Sequence, residues 1–272
     1  MTSTVAYNRV PRVTADFWLI KLMAVTMGET AADYLNVQMG LGLTATSLLM
    51  SAVLAAALAW QFARKRYVPT AYWLSVVLIS IVGTLITDNL VDNFQVPLLA
   101  TTIAFSIALA ATFLLWFRVE GTLSIHSIFT GRREAFYWLA ILFTFALGTA
   151  AGDLVAEKFA LGYLATGILF GMIIVSLSLG YFALGLDPIL AFWLVYILTR
   201  PLGASFGDLL SQPAQYGGFG LGTIVTSALF LAAIAALVSF MSLRHEGEER
   251  AEADENGDVS NGHPERAAGR AS

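Results

Sequence analysis

Residues 17–35 read FWLIKLMAVTMGETAADYL, and the same frame returns as YWLSVVLISIVGTLITDNL (72–90), YWLAILFTFALGTAAGDLV (137–155) and FWLVYILTRPLGASFGDLL (192–210). In each, an aromatic–Trp pair is followed by Gly ten residues after the Trp and by Asp five residues later. The sets are Trp18, Gly28 and Asp33; Trp73, Gly83 and Asp88; Trp138, Gly148 and Asp153; and Trp193, Gly203 and Asp208. Four ungapped recurrences define an internal repeat. Thr46, Thr101 and Thr166 each lie 13 residues after their Asp, and Thr226 joins them if the fourth loop carries five extra residues. Copies begin 55, 65 and 55 residues apart, so the chain divides into two similar halves, with the extra length around GTLSIHSIFTGRRE.

Outward from the repeat, composition gives the class. Hydrophobic residues make up 57% of the 272 and charged residues 12%, with a mean hydropathy of +0.72. A soluble domain carries a more charged surface. Residues 34–63, 98–117, 135–152 and 159–186 contain no Asp, Glu, Lys or Arg, and runs of about 20 apolar residues cross a bilayer. Spans are expected near 14–35, 43–62, 71–91, 98–117, 135–156, 162–183, 189–210 and 220–242. The expected fold class is therefore an all-α integral membrane protein, a pseudo-symmetric bundle of eight transmembrane helices. The chain would comprise an N-terminal segment (1–13), repeat 1 (14–62), repeat 2 (71–117), a connector (118–134), repeat 3 (135–183), repeat 4 (189–242) and a tail (243–272).

Each copy holds an even number of spans, so all four enter the membrane the same way up, as parallel repeats. Lys and Arg between spans favour one side by nine to one: Arg9, Arg12, Arg64, Lys65, Arg66, Arg118, Arg132, Arg133 and Arg244 against Lys158. That bias puts both termini in the cytoplasm. The first 16 residues are polar and contain no signal-peptide pattern, so the first span is expected to act as its own insertion signal. Trp18, Trp73, Trp138 and Trp193 start the odd helices and Trp60 and Trp116 end two even ones, as an interfacial belt would. Gly28, Gly83, Gly148 and Gly203 sit among small residues, which let helix backbones approach closely in lipid. From Arg244 on, with EGEER and ADENGD, a disordered cytoplasmic tail is expected.

The four aromatic-Trp helices with their Gly and Asp, two spans per copy, resemble the bacterial membrane-protein family defined by four tandem repeats of unknown function. The TLSIHSI loop before REAFYW resembles that family too, and the likeness runs from about residue 12 to 242. It implies the architecture and a bacterial cytoplasmic membrane location. It implies no activity.

Activity has to be argued from ionisable residues. A carboxylate in a span costs about 2.5–3.5 kcal/mol on insertion scales, so it faces a cavity, a partner or the interface. Asp33, Asp88, Asp153 and Asp208 fall 15 residues after their Trp, roughly 22 Å along the helix, near the outer boundary of the bilayer. Each Asp either ends its helix in headgroup water or contributes to a carboxylate ring that concentrates cations. Copies one and four differ from the rest, the first by Lys21 and Glu29, the fourth by Arg200 and Pro201. Glu29 and Asp33 share a helix face, whereas Lys21 lies about 12 Å from Glu29 along the axis, too far for a direct pair. Arg200 is expected to pair with Glu29 across the contact of copies one and four, either as a structural closure of the ring or as part of a solute route. Pro201 should kink the helix and free a carbonyl.

Five acidic and two basic side chains leave minus three within the helices, which favours a cation or proton over an anion. The repeated Thr either add neutral oxygens to such a route or bond back to their own helices. His126 lies in the connector and His245 and His263 in the tail. With no His in a span and no HExxH motif, no enzyme activity, cofactor or nucleic-acid partner is expected, and no metal site is assigned. The bilayer is the expected partner. The expected function is transport of a cation, metal ion or proton, or of a small solute through the acidic site, with a membrane scaffold or sensor as the alternative. A transporter should hold a wet cavity reaching Asp33 or Glu29; a scaffold should be packed solid there.

Overall fold

The computed structural model describes residues 7–261, the side chains of 37, 38 and 245–261 excepted. Eight α-helices form among these residues: α1 Ala15–Asp33, α2 Leu43–Phe62, α3 Pro69–Asp88, α4 Leu98–Glu120, α5 Gly131–Asp153, α6 Gly162–Leu184, α7 Pro188–Ser211 and α8 Thr223–Asn261. Their starts follow local chemistry. Thr14, Thr130 and Asp187 accept N-terminal amide hydrogens of α1, α5 and α7, each satisfying a donor the helix cannot satisfy itself. Pro69 and Pro188 open α3 and α7, where a missing N–H costs nothing. Seven helices are long and apolar enough to cross a membrane, and α1 is the exception because Asp16, Lys21, Glu29 and Asp33 all fall within it.

The odd helices pack in a closed ring, α1 on α3, α3 on α5, α5 on α7 and α7 on α1. Each even helix lies outside and packs on the odd helix of the following copy: α2 on α3, α4 on α5, α6 on α7, and α8 on α1. Between 11 and 22% of the apolar window of each outer helix is buried, against 56–67% for α3, α5 and α7. The outer helices therefore turn Leu48, Leu49, Ile107, Phe182 and similar side chains outward, the surface that a hydrocarbon solvent requires.

Two contacts repeat from copy to copy around the ring. Phe17, Tyr72, Tyr137 and Phe192 each meet the Trp of the next copy, Trp73, Trp138, Trp193 and Trp18, at centroid distances of 5.6, 5.4, 6.2 and 5.6 Å. Each repeat Gly faces the residue three before the next Gly: Gly28 faces Ser80, Gly83 faces Phe145, Gly148 faces Arg200 and Gly203 faces Val25. A Cβ on any of these glycines would come within 2.0–2.8 Å of its neighbour. Absent side chains are what allow the ring to close.

After the Asp, α1, α3 and α5 widen into π-turns over Tyr34–Gln38, Asn89–Asn93 and Leu154–Lys158. Their closing bonds are Met39 N to Tyr34 O, Phe94 N to Asn89 O and Phe159 N to Leu154 O, each 3.0 Å. In the fourth copy the corresponding bond runs from Phe219 N to Leu209 O at 2.6 Å, a separation of ten residues instead of five. The five extra residues are thus looped out around a 3-10 turn at Ala214–Tyr216, and the register then resumes. Seven residues after each Asp, or twelve in the fourth copy, the backbone turns left-handed at Gly40, Gln95, Ala160 and Gly220. An L side chain pays about 1–2 kcal/mol there, partly offset by the unfolded-state entropy that Gly adds. Gln95→Gly and Ala160→Gly should each stabilise the protein by about 0.5–1 kcal/mol, read as a shift of the unfolding midpoint.

Two boundaries differ from expectation. Helix α4 runs to Glu120 and α5 begins at Gly131, so the connector is shorter than 118–134; the Glu120 carboxylate binds Arg133 Nε at 2.6 Å and Arg132, clamping those helix ends together. Helix α8 continues to Asn261 where disorder was expected from residue 243, in keeping with the Glu, Ala and Arg that dominate EERAEADE, all strong helix formers. Residues 262–272 of the tail and 1–6 of the N-terminal segment lie outside the described residues.

Candidate functional site

The centre of the ring is polar. Arg200 is fully buried, and its two Nη2 hydrogens are shared among Glu29 Oε2 at 2.7 Å, Thr149 Oγ1 at 2.7 Å and Thr84 Oγ1. Thr84 in turn reaches Glu29 Oε2 at 3.2 Å. Glu29, Thr84 and Thr149 each follow their repeat Gly by one residue, and Ala204 holds that position in the fourth copy. One position in three copies therefore supplies acceptors to a guanidinium from the fourth. The pair expected between Glu29 and Arg200 is present, and the two Thr that complete it were missed although they sit at the same offset from Gly.

Lys21 lies one level nearer the Trp end, also fully buried. Its Nζ donates to Tyr196 O at 2.6 Å and to Thr199 Oγ1, and stands 3.8 Å from the Tyr196 ring centroid. Lys21 and Tyr196 each precede their Gly by seven residues, so this contact too joins copies one and four. The carbonyl next along the helix, Ile197, lacks its helical donor because Pro201, four residues on, has no N–H. Phe145 lies beside both cations, with Lys21 Nζ and Arg200 Cζ each 5.7 Å from its ring centroid.

Toward the other end, Asp33, Asp88, Asp153 and Asp208 are half-buried. Glu29 acts electrostatically on all four, and Asp92 and Glu157 extend the same acidic surroundings. Asp33 Oδ2 accepts from Gln212 Nε2 at 3.5 Å. The acids are gathered in one region, yet among the described residues no group of three or more His, Asp or Glu has metal-binding geometry. All four repeated Thr are buried. Thr101 and Thr226 bond back to Pro97 O and Gly222 O at 3.3 and 2.9 Å, whereas the hydroxyls of Thr46 and Thr166 meet no acceptor.

Burial corrects the interfacial reading for Trp73, Trp116, Trp138 and Trp193, while Trp60 stays exposed. Trp73, Trp138 and Trp193 are 1, 3 and 4% exposed, packed inside the end of the ring with the neighbouring aromatics, and Trp18 is half-buried. The aromatics turn into the ring and stack on one another, while the neighbouring Leu19, Leu74 and Leu139 of the same helices stay exposed. Tyr72 and Tyr137 hydroxyls meet at 2.5 Å within this layer. Beside it, buried Glu134 accepts from Arg9 Nη1 at 2.7 Å, Gln61 Nε2 at 2.9 Å and Trp138 Nε1 at 3.4 Å. Glu134 sits outside the repeat frame, which is why its role was not legible. The connector is tied down next to it, with Asn8 bonding Ile125 O and Ile128 N at 3.0 and 3.1 Å.

A G-x-S-x-G spacing does occur in the chain, inside a helix. Gly203 to Gly207 spells GASFG, the spacing of a hydrolase nucleophile elbow, which needs a strand-to-helix turn. Here it lies inside α7, with Ser205 Oγ donating to Pro201 O at 2.9 Å. Two cavities, of about 280 and 450 Å³, open between α6 and α7 and between α4 and α7. Neither is lined by Glu29, Asp33 or Arg200.

A ring of buried helices with charges at its centre, wrapped by apolar helices, defines a multi-pass helical protein of the membrane type. The chain belongs to the family described as Repeat of Unknown Function (DUF347), which matches it four times in tandem, over residues 17–67, 71–122, 136–185 and 191–246. No curated protein and no solved structure matches the chain.

Proposed function

We propose that the protein is a transporter or channel of the bacterial cytoplasmic membrane, in which a cation, metal ion or proton, or a small solute passes through the acidic site between the repeats. All eight helices would span, as four parallel copies about an axis along the membrane normal, with both termini cytoplasmic. Support for the arrangement comes from the aromatic–Trp and Gly contacts, which recur at equivalent positions in successive copies. Helix α1 suits an inner span because Lys21 and Glu29 are buried in the ring. The nine-to-one bias of Lys and Arg supports the orientation.

The observation that carries the transport reading is the buried Glu29–Arg200 pair at the meeting point of all four copies. Ionisable groups are costly at such a depth and by default point to a functional site. The half-buried Asp beside it would concentrate cations, and the pair would be the element that opens. A scaffold or sensor is the second reading, favoured by the absence of Glu29 and Asp33 from the linings of both cavities. Under the transport reading the same packing is a closed state. Flux in proteoliposomes across a panel of metal ions and protons separates the two. Wild-type flux should fall at least tenfold in Glu29→Gln and Asp33→Asn; no flux of any tested species, or equal flux in all three proteins, would overturn the acidic route.

A further inference from the structure

The bonds that Arg200 makes leave most of its donors without partners. Every acceptor it meets is met by Nη2, while Nε and Nη1 are buried and have no acceptor in the protein. A guanidinium carries five N–H bonds in a fixed fork, so three of them are buried without an acceptor. Lys21 adds a second buried cation, with two of its three N–H bonds directed to neutral oxygens. Against these two positive charges the same layer holds one carboxylate, Glu29. Among the described residues the acids of the Asp end make no hydrogen bond or ion pair with either side chain, and Arg200 acts on Asp153 only electrostatically. Buried charges require a partner of opposite sign.

We infer that the layer between Lys21 and Arg200, beside Phe145, is a binding site for a small monoanion. The free Arg200 donors give direction, as they do wherever guanidinium recognises a halide or a carboxylate oxygen, and the Lys21 ammonium supplies the second charge. Phe145, within 5.7 Å of both cations, walls the site on its apolar side. This goes beyond the acidic route, because it adds a site of the opposite sign that shares Arg200 with Glu29. The carboxylate and the anion compete for one guanidinium, so whatever neutralises Glu29 strengthens the anion's hold. Occupancy at Glu29 and at the anion site are thereby coupled, reciprocally as linkage demands.

The test measures binding alone, in purified full-length protein in detergent, with chloride as the probe. Unfolding midpoints are followed as sodium chloride replaces sodium gluconate at constant ionic strength. The wild type should show a saturable rise with chloride. Glu29→Gln should reach half-saturation at a concentration at least tenfold lower, and Lys21→Met at one at least tenfold higher. Glu29→Gln distinguishes the site from a merely structural cluster, because loss of a structural partner gives no sharpened chloride response. Equal midpoints in chloride and gluconate for both wild type and Glu29→Gln would overturn the proposal, as would a chloride response unchanged in Lys21→Met. Absence of flux in proteoliposomes would sink the transport reading and leave this result standing.

Discussion

Removing one charge of the central pair, by Glu29→Gln or Arg200→Met, should destabilise the protein by about 3–5 kcal/mol, while the double substitution should cost far less than the sum. The reason is the location of the pair. Arg200 is fully buried and Glu29 6% exposed, so either residue alone is an ion without a counter-ion in a medium that cannot solvate it. With both charges gone, the penalty for an orphaned ion disappears, and what remains is the loss of the bonds from Nη2 to Thr84 and Thr149. Reversible unfolding in mixed detergent, followed by Trp fluorescence, reads all three variants. The six Trp report well because Trp73, Trp116, Trp138 and Trp193 are buried. Strict additivity of the two single effects would show that the residues act independently and that the 2.7 Å contact contributes nothing.

The second large effect is steric. A Cβ at Gly148 would lie 2.3 Å from Arg200 Cγ and 2.5 Å from Arg200 Cβ, and one at Gly83 would lie 2.8 Å from Phe145 Cβ with backbone close behind. Gly148→Ala and Gly83→Ala should therefore each cost about 1–3 kcal/mol through overpacking, despite the better helix propensity of Ala. At Gly180, inside α6, a Cβ would meet nothing within 4 Å, and Gly180→Ala should instead stabilise by up to about 1 kcal/mol. Opposite signs for the same substitution in two helices of one protein, measured by unfolding midpoint, test the ring contact directly. Destabilisation at Gly180 equal to that at Gly148 would remove the close approach as the cause.

Much of this was legible in the chain because repetition converts spacing into geometry. The interval from Gly28 to Asp33, repeated four times, gave helix length and register, and the offset Thr226 announced the five-residue loop that the Phe219–Leu209 bond makes visible. The Glu29–Arg200 pair was readable for the same reason, since both offsets are counted from Gly. The failures share a cause as well. An aromatic–Trp pair at a span end has the same sequence signature whether it faces headgroups or neighbouring aromatics, and only the separation into inner and outer helices decides between them. The repeat marks the odd helices as inner only through their recurring Asp and through Lys21, Glu29 and Arg200, because the even helices are no less hydrophobic than the odd. Thr84 and Thr149 were passed over because a Thr in an apolar span usually bonds to its own helix, as Thr84 and Thr149 also do, to Ser80 O and Phe145 O. Glu134 has no counterpart in the other copies, and its partners Arg9 and Gln61 are 125 and 73 residues away.

The order in which the helices pack has a consequence for how the chain is made. Helix α1 leaves the ribosome first, but two of the helices it packs on, α7 and α8, come last. Glu29 must wait for an arginine 171 residues downstream, and Lys21 for oxygens 175 and 178 residues away. At roughly 5–20 residues per second of synthesis, α1 spends on the order of 10–35 s without the partners that neutralise its buried charges. During that interval insertion machinery or lipid headgroups must shelter it. A truncation anywhere before the fourth copy would leave those charges permanently exposed, so clearance of incomplete chains is expected to begin with α1.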